Sequence, residues 1–129
     1  MSSNVSNRAF KTARFSKDAK KAKIDDVELC MVIKQVLLGQ ADDLGGGVFK
    51  KRLNNNLHRS IILAKGGKYW VYEYLFAKKD HANIENDELL AFRLLANSYA
   101  GLTEQQVSQL LVNGDFVEIC YDDKTEIQK

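Results

Sequence analysis

The sequence predicts an α+β fold, a single domain in which N-terminal and C-terminal helices pack on a central antiparallel sheet. Three observations predict it. Three strand-like runs follow one another across short polar turns between residues 43 and 84, helical apolar patterns flank them on both sides, and proline is absent throughout. Short links between consecutive strands favour antiparallel pairing. We expect the domain to span residues 1–129, with residues 1–8 and 122–129 frayed at the two ends.

Ahead of the sheet, the pattern predicts one short strand and two helical segments. We place them over residues 10–15, 16–23 and 25–39. Ser16 is expected to cap the first, lysine-rich segment. Asp25 followed by Glu28 three residues later is a capping-box pattern that opens the second helix. Gly39 suits the end of that helix, because glycine adopts the left-handed backbone found there.

The sheet itself is predicted as a meander of three strands. After a loop over residues 40–47, the strands cover residues 48–53, 57–64 and 69–76. Asn54–Asn56 is a turn of residues that tolerate left-handed backbone. Lys65, Gly66 and Gly67 form a hairpin signal. The last strand is the most strand-like run in the chain, since it is dense in aromatic and β-branched residues.

Two helices and one strand are predicted after the sheet. They run over residues 86–101, 103–112 and 116–121. Gly101 ends the first helix, and Thr103 with Gln106 forms a second capping box. These elements complete a fold with helices on both sides of the sheet in sequence order.

Composition bounds the class of protein. The 129 residues suffice for one modest core. No run approaches the ~18 apolar residues of a membrane span, and the first residues lack the apolar region of a secretory signal. Cys30 and Cys120 have neither CxxC nor metal-ligand spacing, so we expect two buried reduced thiols rather than a disulfide or metal site. We therefore expect a cytoplasmic protein without a membrane partner or a cofactor.

Charge is distributed unevenly along the chain. Residues 1–79 hold 16 Lys and Arg against 7 Asp and Glu, a net charge of +9, whereas residues 80–129 hold 3 against 10, a net charge of −7. This asymmetry favours one face for a nucleic acid, unless the two halves intermix in space and cancel.

The ends of the predicted strands gather cations and imidazoles. These residues are Lys50, Lys51, Arg52, His58, Arg59, Lys78, Lys79 and His81. No cluster of acids accompanies them, so the chemistry that they favour on a phosphodiester is metal-free. RNA can be cut by its own 2′-hydroxyl if the enzyme removes that proton, donates one to the leaving 5′-oxygen and neutralises the charge on the phosphate.

Two motifs in this region resemble a known family. The run DLGGGVFKKRL (43–53), Arg59 near the start of the next strand, and the run FAKKDHANI (76–84) resemble the RelE/HigB superfamily of type II toxins, above all its HigB-like branch. The resemblance covers roughly residues 10–120. The chain departs from the pattern where the basic connection before Arg59 is cut to NNNLH, and where His81 stands in place of Arg or Lys.

The resemblance implies both an activity and its partners. Such toxins cleave mRNA without metal, often in the ribosomal A site. They are silenced by an antitoxin encoded by an adjacent gene, which we expect to carry a helix-turn-helix domain and to form a hetero-oligomer with the toxin. The expected partners of this chain are therefore the antitoxin, mRNA and the ribosome.

Site residues follow from the resemblance together with the chemistry. The expected catalytic residues are Lys50, Arg52, Arg59, Lys78, Lys79 and His81, and the expected further RNA contacts are Lys51, His58, Lys20 and Lys21. Arg52 and Arg59 suit the phosphate, because a guanidinium binds its oxygens bidentately. Lys50 or Lys78 would be the base and His81 the acid, although His58 also titrates near neutrality. The stem of Lys51 is also expected to cover the core, and Arg59 could instead pair with an acid.

Two other functions remain open from the sequence. One is a nucleic-acid-binding module without catalysis, which would bind RNA with steep salt dependence and leave it intact. The other is a ParE-like toxin that poisons a protein target such as DNA gyrase. The concentrated cations favour the endoribonuclease over the last of these, whereas the shortened basic connection keeps the binding module in play.

Overall fold

A computed structural model describes residues 7–65, 68–80 and 84–120 of the chain. Within these residues, a sheet of six strands is flanked by four helices. In chain order the elements are β1 (Arg8–Thr12), α1 (Ala13–Lys21), α2 (Asp26–Leu37), β2 (Asp42–Gly45), β3 (Val48–Leu53), β4 (His58–Lys65), β5 (Tyr69–Ala77), α3 (Asn86–Ala100), α4 (Glu104–Asn113) and β6 (Phe116–Ile119). The predicted α+β class, with helices before and after the meander, is confirmed.

The sheet is mostly but not entirely antiparallel. Its strand order is β2-β3-β4-β5-β1-β6. Strands β2 to β5 form the predicted antiparallel meander. Strand β1 then lies parallel to β5 and antiparallel to β6. The sheet is therefore mixed, because β5, the last strand of the meander, lies beside β1, the first strand of the chain, and runs parallel to it.

Helices cover both faces of the sheet. On one face, α1 and α2 bury Phe15, Leu29 and Ile33 against Tyr72 of β5. The opposite face packs against α3 and α4, with Ala96 and Val107 among its buried members. Strand alternation divides each strand between these two cores, as the period of two requires. In β3, for example, Val48 belongs to the core under α3, whereas Phe49 and Leu53 belong to the core under α1 and α2.

The first strand and first helix begin earlier than the sequence predicted. The side chain of Thr12 accepts a hydrogen bond of 3.1 Å from the backbone N–H of Phe15 and so caps α1. Phe15 consequently lies inside the helix, fully buried against the ring of Tyr72. The prediction of a strand to residue 15 and of Ser16 as the cap was wrong. Arg8, the last residue of the predicted frayed N-terminus, begins β1 and pairs with Tyr69.

A short edge strand occupies the predicted loop over residues 40–47. Strand β2 pairs with β3, with Asp42 opposite Lys50 and Asp43 opposite Phe49, and the register shifts between Asp43 and Gly45. The sequence of this strand, DDLG, has no apolar alternation, and three of its four residues are poor strand formers. It is a strand because the edge of β3 offers backbone partners to it.

The two cysteines form a disulfide. Cys30 on α2 is bonded to Cys120, directly after β6, with a Cα–Cα distance of 5.4 Å across a sequence separation of 90 residues. The prediction of two reduced thiols was wrong. Both residues are partly buried against the core under α1 and α2, and only the topology, which brings the end of β6 beside α2, makes the pairing visible.

The asparagine turn and two of the three predicted helix caps are confirmed. Asn54, Asn55 and Asn56 all have positive φ, of 54°, 54° and 72°. Asp25 caps α2 through a 3.0 Å bond from the N–H of Glu28, and Thr103 caps α4 in a complete capping box. Glu28 does not close its own box, because its carboxylate binds elsewhere. The predicted Gly66–Gly67 turn and the frayed tail lie outside the described residues.

Candidate active site

Three strand ends meet at one edge of the described structure. In the register of the sheet, Leu53 of β3 lies opposite His58 of β4, which lies opposite Ala77 of β5. One residue further in, Arg52 lies opposite Arg59, and Arg59 lies opposite Phe76. The predicted meander therefore brings cations from the end of β3, the start of β4 and the turn after β5 to the same end of the sheet. We call this end the basic end.

The two arginines of the basic end have different environments. Arg52 is exposed. Arg59, in contrast, is buried, with 8% of its surface exposed. Its Nη1 donates hydrogen bonds of 3.0 and 3.2 Å to the carbonyl oxygens of Asn56 and His58. Arg59 thus holds the asparagine turn together through backbone carbonyls, and within the described residues we find no acid paired with it.

His58 is oriented by a chain of polar contacts. Its Nδ1 lies 3.2 Å from the side-chain nitrogen of Asn54. The backbone N–H of Asn54 in turn donates a 2.6 Å bond to Oε2 of Glu28, on α2. With the Asn54 amide as donor to Nδ1, the neutral imidazole carries its proton on Nε2. Sequence reasoning missed Asn54 and Glu28 as positioning residues, although the asparagine turn and the capping-box glutamate were both noticed.

His58 borders two adjacent pockets. The larger, of about 590 Å³, is also lined by Leu57, Ala77, Lys78 and Lys79. The smaller, of about 260 Å³, lies between His58, the end of β5 and the residues Asp18 and Lys21 of α1. His58 and Lys21, both predicted RNA contacts, therefore border the same pocket. His58 also borders the pocket of Lys78 and Lys79. Both of these lysines are exposed, and the N–H of Lys78 is bonded to the carbonyl of Leu57 at 2.9 Å.

Lys50 and Lys51 point to opposite faces of β3. Nζ of Lys50 lies 3.9 Å from Oδ2 of Asp42, and the lysine side chain is 19% exposed. Lys51 donates a 2.6 Å bond to the carbonyl of Gln40, on the face that carries Phe49 and Leu53. Both lysines and Arg52 line a pocket of about 340 Å³ with residues 39–42. The sequence predicted cations around Lys50. It did not predict the carboxylate of Asp42 beside them, because β2 was predicted as a loop.

One predicted residue, Lys20, lies apart from this arrangement. Lys20 lines a separate pocket of about 350 Å³ with Lys11, Lys23 and the acids Asp25 and Asp26. The structure does not bring it to His58. His81 falls outside the described residues.

The glycine run has a packing role that the sequence did not reveal. Arg93 of α3 donates hydrogen bonds to the carbonyls of Leu44 and Gly45. A Cβ atom on Gly46, whose φ is +67°, would lie 2.8 Å from Cγ of Arg93. The glycines therefore allow Arg93 to pack against the hairpin of β2 and β3, which fixes the strand that carries Lys50 and Arg52.

Two further observations concern metal binding and membrane insertion. Among residues 7–65, 68–80 and 84–120, no group of three His, Cys, Asp or Glu is placed to hold a metal ion. In the same residues, no helix has both the length and the apolar character needed to cross a membrane.

The fold and the site together define the class of protein: a small α+β domain whose strand ends collect cations suited to an anionic ligand. The family follows from comparison. The model of the family described as the RelE toxin of the RelE/RelB toxin–antitoxin system matches residues 7–119, and the chain belongs to this family. A search of curated proteins and of solved structures gives no significant match. The predicted resemblance is confirmed at the level of RelE, and this chain is a RelE-family toxin of a toxin–antitoxin system.

Proposed function

We propose that this toxin is a metal-independent endoribonuclease of the HigB-like branch, which cleaves mRNA on the ribosome and so inhibits translation. The observation that carries the proposal is the register of β3, β4 and β5. It brings Arg52 and His58 to adjacent residue pairs at the basic end, and Lys78 and Lys79, which follow β5, line a pocket with His58. These are the residue types that metal-free cleavage of a phosphodiester needs.

The proposed reaction is an internal transfer of the phosphodiester. The 2′-oxygen of one ribose loses its proton to a base and attacks the adjacent phosphorus. The bond from phosphorus to the 5′-oxygen breaks, and that oxygen receives a proton from an acid. The products are a 2′,3′-cyclic phosphate and a free 5′-hydroxyl, and no water is consumed. The protein has to supply a base, an acid and positive charge beside the phosphate oxygens.

The different exposure of Arg52 and Arg59 suggests different roles for the two residues. Arg52 is exposed and lines an open pocket, so it is our candidate for the phosphate contact. The guanidinium of Arg59 is engaged by the carbonyls of Asn56 and His58. We therefore assign Arg59 to positioning the turn that carries His58. This changes the role that sequence reasoning gave to it, while leaving it in the site.

The remaining roles follow from position. Lys78 and Lys79, exposed around the larger pocket, would hold the RNA backbone. His58 is our first candidate for proton transfer, because Asn54 orients its ring and it borders both pockets. Lys50 on β3 remains the alternative base, and His81 the alternative acid. Lys21, beside His58, and Lys51 and Lys20, further away, would contact RNA outside the reacting phosphate.

The proposed partners complement this charge. An acidic or amphipathic segment of an antitoxin encoded by an adjacent gene would neutralise the basic end in a toxin–antitoxin hetero-oligomer. We expect that antitoxin to carry a helix-turn-helix domain. We propose that the toxin acts in the cytoplasm, where its mRNA and ribosome targets are.

A cleavage assay tests the proposal. The full-length chain is incubated with mRNA, with and without ribosomes, in EDTA. New ends are sequenced and the 2′,3′-cyclic phosphate is identified chemically. We expect cleavage in EDTA, and its loss in Lys50→Ala/Arg52→Ala. The matched control is Lys34→Ala/Lys68→Ala, which removes two exposed cations that line none of the pockets described for the candidate site.

The other outcomes identify the other functions. Tight, salt-dependent binding of intact RNA would indicate a binding module without catalysis. Growth arrest of cells that express the chain, with intact mRNA, would indicate a protein target such as DNA gyrase. Cleavage that stops in EDTA and returns with a divalent cation would contradict the metal-independent mechanism.

A further inference from the structure

A disulfide bond joins α2 to the end of β6, which is an edge strand of the sheet. Cys30 lies in the middle of α2, and Cys120 lies directly after β6, the edge strand. Both cysteines are only partly buried at the margin of the core, so a small thiol or disulfide can reach them from solvent. Cytoplasmic thiols are kept reduced in most organisms, so a disulfide at this place distinguishes two states of the chain.

The same helix also supports the candidate active site. Next to Cys30, the carbonyl of Leu29 accepts a 2.8 Å hydrogen bond from the buried hydroxyl of Tyr72. One residue earlier, Glu28 accepts the 2.6 Å bond from the N–H of Asn54. Asn54 in turn orients the ring of His58. The carboxylate that holds the asparagine turn therefore belongs to a residue two positions before Cys30 in the chain.

We infer that the Cys30–Cys120 pair is a redox switch of the candidate active site. In the oxidised chain the disulfide holds α2 in the position from which Glu28 fixes Asn54 and His58. In the reduced chain α2 gains freedom along the sheet, and His58 loses its fixed orientation. Oxidation would thus activate the toxin, which makes the inference a statement about the regulation of the proposed nuclease, on which it rests.

The chemistry of the switch is thiol–disulfide exchange with a low-molecular-weight disulfide such as oxidised glutathione. One protein thiolate attacks that disulfide, releases one small thiol and leaves a mixed disulfide. The second protein thiolate then attacks the mixed disulfide, forms the Cys30–Cys120 bond and releases the second small thiol. Two electrons pass from the protein to the small disulfide. An excess of reductant reverses both steps.

The fold has the means to survive reduction. Helix α2 buries Leu29, Val32, Ile33 and Val36 against the sheet, and Asp25 caps it. These contacts do not depend on the disulfide, so α2 is expected to stay helical with its apolar face on the sheet when the bond is broken, while its exact position along the sheet is no longer fixed covalently. The switch then acts on the position of a helix that is already formed.

The test compares the oxidised and reduced full-length chain. Each state is prepared with oxidised or reduced glutathione, and its rate of mRNA cleavage is measured. In parallel, the ¹⁵N NMR signals of the His58 ring report its tautomer. We expect cleavage about tenfold slower in the reduced chain, within the usual range of coupling between two sites. We also expect shifted His58 signals, and full recovery of both on reoxidation.

Two variants locate the effect. Cys30→Ser/Cys120→Ser is expected to behave as the reduced chain under both conditions. Glu28→Ala removes the acceptor of the Asn54 N–H, so its rate and its His58 signals are expected to be insensitive to glutathione. A full redox response in Glu28→Ala would overturn the route through Glu28.

The remaining outcomes separate this inference from the proposed function. Equal cleavage rates and identical His58 signals in the two states would overturn the switch while leaving the nuclease intact. His58 signals that change with the redox state, in a chain that never cleaves RNA, would support the switch and overturn the nuclease. Loss of the circular-dichroism signal of the folded chain on reduction would show that the disulfide is needed for folding, and would overturn the switch as well.

Discussion

The two ends of the sheet use arginine in different ways. At the end opposite the basic end, Arg8 meets Glu118 in two hydrogen bonds of 2.9 and 2.8 Å, and its Nη1 lies 3.8 Å from Glu104. At the basic end, Arg59 is buried on backbone carbonyls and Arg52 is exposed. One end neutralises its charge within the protein, and the other leaves charge for a ligand.

This difference separates a cation that is paired within the protein from one that is open to the proposed ligand. Bonds to Glu118 raise the pKa of Arg8 above its usual value, although burial opposes them, and its guanidinium also lies over the rings of Phe10 and Tyr69. The guanidinium of Arg8 is therefore already engaged by carboxylates and aromatic rings of the protein. Arg52 has an open pocket beside it, so a phosphate can take the place that Glu118 takes for Arg8.

The largest expected effect is on catalysis at the basic end. Arg52→Ala is expected to slow mRNA cleavage by about a hundredfold, the typical loss when one group that stabilises transition-state charge is removed. Its melting temperature should stay unchanged, because the side chain is exposed. Single-turnover cleavage and thermal unfolding measure the two quantities. Lys68→Ala, an exposed cation at the other end, should leave both unchanged; a similar loss there would mean that the overall charge, and not the site, matters.

The second largest effect is on stability, again at the basic end. Arg59→Ala leaves the carbonyls of Asn56 and His58 without their buried donor. Removing such a partner costs about 2 kcal/mol, and urea unfolding should show a loss of this size in the free energy of unfolding. Arg52→Ala, on the neighbouring strand, serves as the control for charge. An Arg59→Ala chain as stable as the wild type but unable to cleave RNA would indicate that Arg59 binds the phosphate.

A smaller loss of stability is expected at the opposite end. Arg8→Ala removes the contacts with Glu118 and Glu104, but the Arg8 side chain is 34% exposed. Solvent screening therefore limits the loss to about 1 kcal/mol. Cleavage of mRNA should be unaffected. Urea unfolding in low and high salt measures the difference, which should shrink in high salt. A cleavage defect in this variant would break the distinction between the two ends.

The sequence predicts most of the fold because its local signals agree with the global topology. Strand β3 begins after the glycines and ends at the asparagines, so its residues 48–53 were predicted with the observed bounds. Strand β2 was missed because Asp42–Gly45 has no pattern of its own. It forms because the edge of β3 offers it backbone hydrogen-bond partners. Phe15 was misplaced because an aromatic residue suits either a strand or the buried face of a helix, and the cap at Thr12 was not recognised.

The site is predictable in its location but not in its internal contacts. Consecutive antiparallel strands must bring the ends of β3 and β5 to the start of β4, so the basic end follows from the sequence. The burial of Arg59 does not, because it depends on where the carbonyls of Asn56 and His58 point. The Cys30–Cys120 bond does not follow either, since it requires β6 to lie beside β1.

The smallest expected effect comes from a half-buried charge between the two ends. Glu73 lies in β5 and accepts a 2.7 Å hydrogen bond from the hydroxyl of Tyr99. Burial raises the pKa of Glu73 above its ordinary value of 4.5, although the bond from Tyr99 and the charge of Arg14 oppose the rise. Burial is also the main cause of the raised pKa of Tyr99, followed by its bond to Glu73, so the tyrosine remains a donor.

The sign of the pH dependence follows from that raised pKa. The folded chain holds the Glu73 proton more tightly than the unfolded chain, so its contribution to stability is complete below about pH 4.5 and is lost as pH rises through the raised pKa. Glu73→Gln keeps an acceptor for Tyr99 and removes the charge. We expect it to match the wild type near pH 4 and to be slightly more stable near pH 7. Urea unfolding at both pH values tests this; a difference that does not change with pH would show that Tyr99 and Arg14 compensate the half-buried carboxylate fully, as Glu118 compensates Arg8.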